Sequence, residues 1–307
     1  MGELNINRYI TCDNLKIDFC RDSHPVDDDI QKILNEMISE FSINDMPINV
    51  DFRKLVFWLK AGDQLTHQIH PYPAKLLPHI IYFFLKAHSN LKHKIVLDPF
   101  CGSGTVALEA SIQGFLPLVA DANPFALLLA KVKTTPYSVK KLTETAENIL
   151  IKAKKYRTAP PIDVVNQHLW YSPEHKKKLE IILRAINEIE VTDEKDFFKI
   201  CFSSLAKKIS YADPAISVPV RLKTKDRIRK RLDWIKGLNV IDEFRSVVNS
   251  NIERIKQTNE KYRERVVAKN VGNDARNIFT NSDLTTRMPD NSIPLIITSP
   301  PYGSAQK

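Results

Sequence analysis

The stretch Asp98-Pro99-Phe100-Cys101-Gly102-Ser103-Gly104-Thr105 limits what this chain can fold into more than any other segment. It follows the apolar run Ile95-Val96-Leu97 and precedes a helical pattern through Val106, Leu108, Glu109 and Ala110 to Gly114. That order predicts a strand, a glycine turn and a helix. The chain holds only eight glycines in 307 residues, and this turn takes two of them. A second apolar run, Leu116 to Ala120, ends at Asp121, and Phe125 to Val132 reads as the helix after it. Two consecutive strand-then-helix units predict an α/β fold with a parallel sheet and right-handed crossovers.

At the carboxyl end of a parallel strand, the N–H groups of a glycine turn and of the next helix's first turn point outward, where such sheets take their ligands. Gly102 and Gly104 remove the Cβ atoms that would block close approach. The pattern is not the dinucleotide fingerprint, because Asp98-Pro-Phe-Cys has no place in it. A carboxylate at Asp98 suits a cationic group such as the amino group of a bound amino acid. Asp121, at the end of the second strand, stands where an acid bonds both ribose hydroxyls. An amino acid joined to a ribose points to S-adenosylmethionine.

Near the other end, Pro294-Leu295-Ile296-Ile297-Thr298 has strand character and runs into Ser299-Pro300-Pro301-Tyr302. The exocyclic amine of a nucleobase is a poor nucleophile, because its lone pair is delocalised into the ring. Two acceptors on its N–H groups draw the nitrogen toward a tetrahedral form and aim the lone pair at a sulfonium methyl. Ser299 Oγ and the Pro300 carbonyl are the acceptors this loop offers. Pro300 and Pro301 keep it extended, and Tyr302 offers a flat face for a base extruded from the duplex.

On these motifs the chain resembles the amino-group DNA methyltransferases of restriction-modification systems. Asp98 to Thr105 resembles the family's cofactor motif, Asp121-Ala-Asn123-Pro124 the segment after its second strand, and Thr298-Ser-Pro-Pro-Tyr302 its catalytic motif. His70-Pro-Tyr-Pro-Ala-Lys75 resembles the extended segment that packs by the methionine end of the cofactor. The resemblance implies a Rossmann-like S-adenosylmethionine-dependent methyltransferase sheet, incomplete at its C-terminal side, with a mostly helical insert. It implies cofactor contacts from His70, Tyr72, Pro73, Asp98, Phe100, Gly102, Gly104, Thr105, Asp121 and Asn123. An acid near the adenine falls on Asp283 by spacing, with Asp274 as runner-up. Serine at the first catalytic position is more typical of N4-cytosine enzymes, whereas N6-adenine enzymes usually carry Asp or Asn there.

The expected organisation is an N-terminal extension (1–60), a cofactor-binding half (61–136), a helical, basic insert (137–271) and a catalytic-loop segment (272–307). In the resembled family, a long insert between the two motifs is the region that reads double-stranded DNA. Within it Arg221 to Lys236 is strongly basic, and Arg227, Arg229, Lys230 and Arg231 are candidates for phosphate contacts, with a merely solvated helix face as the equal alternative. Net charge is +9, which fits a phosphate-rich partner without requiring one. The family sheet continues past the catalytic loop, so a truncated form, or a split enzyme completed by a second polypeptide, is expected. The rival readings are an RNA N2-guanine methyltransferase and a non-catalytic DNA-binding protein on a decayed fold. Four separated cysteines exclude a disulfide framework and a four-cysteine zinc site, and His67, His70 and His79 lack an acidic or cysteine partner at ligand spacing, so no metal is expected. No segment has the length and apolarity of a membrane helix and no secretory signal is visible, so a cytoplasmic protein is expected.

Overall fold

The computed structural model describes residues 9–10, 27–44, 47–50, 65–73, 75–216, 218–279 and 288–300. Near the start, β1 (Tyr9–Ile10) pairs in parallel with β2 (Asn49–Val50). The helix α1 (Asp27–Asn44) begins on the run Asp27-Asp28-Asp29, which the sequence offers as a cap and which instead forms its first turn. Ile30, Ile33 and Met37 recur at helical spacing and pack against Phe83 and Ala87 of α2 (Pro78–Ala87). The sequence suggests a start for α2 near Leu76. The helix begins at Pro78 instead, because the proline ring excludes helical conformation from the residue before it, and Leu77 is extended at ψ 125°.

The main sheet contains β3 (Ile95–Asp98), β4 (Leu116–Ala120), β5 (Lys269–Gly272) and β6 (Leu295–Ile296). All neighbours are parallel, in the order β5-β4-β3-β6. The first two strands fall where the apolar runs place them, each followed by its helix, α3 (Thr105–Ile112) and α4 (Pro124–Thr134). β6 is shorter than the run from Pro294 to Thr298, although Ile297 N still donates to Leu97 O at 3.1 Å. β5 falls at the end of the stretch that reads as helical insert, and its Val271 is buried with Leu97, Leu118 and Ala120. From β3 the chain steps outward through β4 to β5 and then returns to lay β6 on the opposite side. The strand order therefore reverses between β3 and β6, the position at which open α/β sheets bind ligands beyond their carboxyl ends.

Five helices connect α4 to β5: α5 (Val139–Lys155), α6 (Pro173–Asn187), α7 (Thr192–Ile209), α8 (Lys225–Lys236) and α9 (Val240–Lys261). Leu142, Ile149, Ile182, Phe198, Phe244 and Ile255 share one core with Ile69, Leu129 and Val132. Each such side chain contributes about 1.5–3 kcal/mol by leaving water, largely offset by the entropy of ordering it. Asn251 of α9 fixes the same junction, donating from Nδ2 to Ile69 O at 3.1 Å. The helical layer is thus joined to α4 and to the segment ahead of α2. α8 lies outermost and buries Ile235. Among the described residues no helix is long and apolar enough to cross a membrane.

Candidate active site

Asp98 ends β3 with its side chain almost fully buried, 3% exposed. Its Oδ1 accepts from Phe100 N at 3.2 Å and from Thr298 Oγ1 at 2.7 Å. Asp98 and Thr298, 200 positions apart in sequence, therefore meet where β3 ends and the chain leaves the adjacent β6. Burial pushes the Asp98 carboxyl up to about 6, Asp121 adds a weaker push in the same direction, and the two hydrogen bonds oppose it. Among the described residues no cationic side chain forms an ion pair with it.

The glycine turn is held on every side. Cys101 N donates to Ala120 O at 3.0 Å, and Gly104 N donates to Cys101 O at 2.7 Å. Gly102 stands at φ +44° and Gly104 at φ +69°, left-handed conformations that side chains disfavour. Gly104 has a second reason to be glycine, because a Cβ there would lie 2.8 Å from Ala130 Cα in α4. Ser103 Oγ bonds Thr105 Oγ1 at 2.7 Å, and the fully buried Lys133 donates from Nζ to Ser103 O at 2.6 Å.

Asp121 ties this turn to the end of β4. Its Oδ2 accepts from Gly102 N and its Oδ1 from Asn123 N, both at 2.8 Å. A carboxylate offers about four lone-pair sites, so capacity remains for two hydroxyls. Asn123 caps α4, accepting from Phe125 N at 3.0 Å, and its Nδ2 donates to Tyr72 Oη at 3.4 Å. Burial pushes the Tyr72 phenol above its ordinary range.

Tyr72, Pro73, Asp98, Phe100, Gly102, Thr105, Asp121, Asn123 and Ser299 line one cavity of about 690 Å³. The glycine turn and the start of the Ser-Pro-Pro loop thus open onto shared space. Gly104 sits under the turn against α4 rather than in the wall, and Pro300 is exposed one position beyond Ser299. Pro301, Tyr302 and Asp283 lie outside the described residues. Asp274 and its neighbours Asn273, Ala275 and Arg276 follow β5 and form a wall of the same cavity. The Arg276 guanidinium holds the Asp274 carboxyl down at about 2, through bonds of 2.7 and 2.9 Å. An acid directly after a strand was the available signal for this wall, but the strand itself carries only one β-branched residue. Thr298, the partner of Asp98, was legible only as the residue before the loop.

His70 stands beside this cavity rather than in it. It lines a second cavity of about 540 Å³ that shares Tyr72, Pro73 and Asn123 with the first. Its Nε2 bonds Ser203 Oγ at 3.0 Å and its ring meets Phe125 edge-on at 4.8 Å. Burial, reinforced by Lys133 and Lys207, pushes its pKa down to about 4, so the ring is neutral at pH 7. His67 has an acidic partner that sequence spacing does not reveal, with Nε2 lying 2.7 Å from Glu109 Oε1 where both residues are buried.

The basic candidates on α8 divide by their partners. Arg227 pairs with Asp213 at 2.9 Å, while Arg229 and Lys230 both reach Asp226 at 3.0 Å. Arg231 donates to the carbonyls of Lys208 and Ser210, at the C-terminal end of α7. Arg229 and Lys230 remain three-quarters exposed.

Residues 68–156 match the family model described as an RMKL-like methyltransferase domain. The chain is 28% identical over 275 residues to the type II methyltransferase M.MvaI of Kocuria varians, an alignment covering 84% of this chain and 58% of that protein. It is also 38% identical over 97 residues to the type II methyltransferase M.MjaII of Methanocaldococcus jannaschii, covering 32% of this chain and 18% of that protein. The chain therefore spans less than two thirds of the length of either relative. No solved structure gives a significant match.

Proposed function

We propose, for a chain whose motifs, parallel sheet and relatives bear out its resemblance to the DNA methyltransferases of restriction-modification systems, that it moves a methyl group from S-adenosylmethionine to an exocyclic base amine in DNA, N4 of cytosine before N6 of adenine. The observation that carries this reading is the single cavity onto which Asp98, Gly102, Asp121 and Ser299 all open, at the point where the strand order reverses. The residues fit the cofactor. Asp98 is a buried carboxyl with no ion pair among the described residues, Gly102 of the turn lines the cavity without a side chain, and Asp121 has acceptor capacity to spare. When bound, S-adenosylmethionine supplies an electrophilic methyl on a sulfonium.

The protein's own groups do the rest. Asp98 takes up the ammonium end and, on doing so, gives up any proton it carries. Asp121 accepts from the ribose hydroxyls while keeping Gly102 N and Asn123 N in place. The Asn273 to Arg276 wall flanks the adenine, a role for Asp274 at the end of β5. Ser299 Oγ and the Pro300 carbonyl accept from the two N–H groups of the amine, which turns its lone pair toward the methyl. The preorganised acceptors need not reorient as positive charge builds on the nitrogen. Serine rather than an acid at this position favours cytosine, by resemblance. The helical layer reads the duplex, with Arg229 and Lys230, exposed beside Asp226, as candidates to approach phosphates.

Incubation of the chain with methyl-labelled S-adenosylmethionine and mixed-sequence duplex DNA, followed by nucleoside chromatography, tests this. N4-methylcytosine is the expected product. N6-methyladenine would overturn the base assignment and leave the amine chemistry standing. Failure to bind the cofactor by calorimetry would overturn the whole reading.

A further inference from the structure

The loop between α7 and α8 is pinned at both ends. Ala212 and Arg221 form an antiparallel bridge, and Asp213 N donates to Val220 O at 2.7 Å, so the two feet of the loop are pinned together. The buried Asp213 carboxylate accepts from Ala215 N at 3.0 Å and from the Arg227 guanidinium at 2.9 Å. Arg231 reaches the carbonyls of Lys208 and Ser210 just before the loop, and its guanidinium lies 4.6 Å from the Trp234 ring centre. Two of the four arginine and lysine residues proposed for phosphate contact are therefore braces.

What the braces hold out is apolar. Ile216, Val218 and Val220 alternate along the loop and are 40%, 44% and 37% exposed. Aliphatic side chains held out by an anchored loop give a partner a preformed apolar contact surface. Arg221, Lys223 and Lys225 follow at the same alternation and are exposed, and residues 214–225 contain no acid. Val218 and Pro219 line the second cavity, which meets the first through Tyr72, Pro73 and Asn123. The loop therefore adjoins the site of chemistry.

Apolar tips flanked by cations that form no ion pair among the described residues match a duplex whose groove floor carries thymine methyls and whose rims carry phosphates. We propose that the braced loop 212–221 enters a groove of the DNA, with Ile216, Val218 and Val220 against base edges and Arg221, Lys223 and Lys225 against phosphates. α8 then acts as the strut of the reading element. This rests on the DNA-methyltransferase reading and names the part of the chain that reads sequence.

The test uses the full chain and a library of randomised duplexes. From this pool the unsubstituted chain enriches a preferred sequence. The triple variant Ile216→Ser, Val218→Ser, Val220→Ser is expected to lose about tenfold or more of that preference, with an unchanged salt dependence. The triple variant Arg221→Gln, Lys223→Gln, Lys225→Gln is expected to keep the preferred sequence while its slope of log affinity against log salt falls by about 2.7, roughly 0.9 per lost phosphate contact. Calorimetric cofactor binding, unchanged in both, shows that the fold and the first cavity are intact. If the unsubstituted chain selects DNA and both variants select and bind as it does, the inference is overturned while the methyltransferase reading stands. Loss of self-association in place of DNA preference would likewise overturn it, by making the loop an interface between copies. Absence of both cofactor and duplex binding by the unsubstituted chain would overturn the reading beneath it as well.

Discussion

Replacing Gly104 with alanine tests whether the glycine turn is fixed by packing as well as by backbone conformation. At φ +69° an alanine costs roughly 1–2 kcal/mol for the left-handed conformation alone. Its Cβ would also lie 2.8 Å from Ala130 Cα and 3.1 Å from Ala130 Cβ. The first neighbour is backbone of a helix whose Ala126, Leu129 and Ala130 are fully buried, so it cannot swing aside as the end of a long side chain would. Overpacking of that kind adds about 1–3 kcal/mol. The total is about 2–5 kcal/mol, a large share of the roughly 5–15 kcal/mol that holds a domain folded. Gly102 is the internal control. It too is left-handed, at φ +44°, but its added Cβ would meet only Tyr72 Cε1 at 3.6 Å and Phe100 O at 3.8 Å. Gly102→Ala should therefore incur the conformational part alone, about 1–2 kcal/mol. Urea unfolding of the three proteins, followed by circular dichroism, measures both. If Gly104→Ala is destabilised no more than Gly102→Ala, the close approach of α4 to the turn is not what fixes this glycine.

Asp98→Asn should raise stability at pH 7 while weakening S-adenosylmethionine binding, as measured by unfolding and calorimetry. The folded-state pKa of Asp98 lies above its ordinary value, so its contribution is fully present below about pH 4 and is lost as pH rises through about 6. The gain on substitution is bounded by roughly 3 kcal/mol at pH 7 and should vanish below about pH 4. Proton release on cofactor binding below about pH 6, read by calorimetry in buffers of different ionisation heat, is the companion expectation. His67→Leu strands the buried Glu109 carboxyl without its 2.7 Å partner and should cost about 3 kcal/mol in urea unfolding. An equal stability would show that Glu109 finds another partner. Ser299→Ala should leave cofactor binding unchanged and lower methyl transfer about a hundredfold, the scale seen when one preorganised polar group is removed from a reacting centre.

The parts of the site that could be read in advance are those encoded by neighbours in sequence. Ile95 to Thr105 carries its own strand, turn and helix signals, and both Asp98 and Gly104 stand where that grammar puts them. β5 was hidden because Lys269-Asn270-Val271-Gly272 has no apolar run. Its strand conformation comes from pairing with β4, where the register shifts between Val119 and Ala120. With β5 unseen, no strand end marked Asp274 as an acid on the cavity wall. The helix α8 was legible as basic, but the division of its charges was not. Whether Arg227 faces a phosphate or Asp213 depends on a loop foot 14 residues away, which composition does not encode. His70 shows the same limit, since the helix that supplies Ser203 lies 133 positions further on.

The 2.7 Å bond between Thr298 and Asp98 also sets an order of events during synthesis. A ribosome that has released β3, β4 and their helices has made the glycine turn, but the hydroxyl for Asp98, 200 positions beyond that acid, has still to be made. Until β6 emerges and slots in beside β3, the growing polypeptide carries a half-built pocket whose acid has no hydroxyl against it. Closing so long a loop is slow. The pairing of Asp98 with Thr298 should therefore form late in translation, as β6 docks against β3.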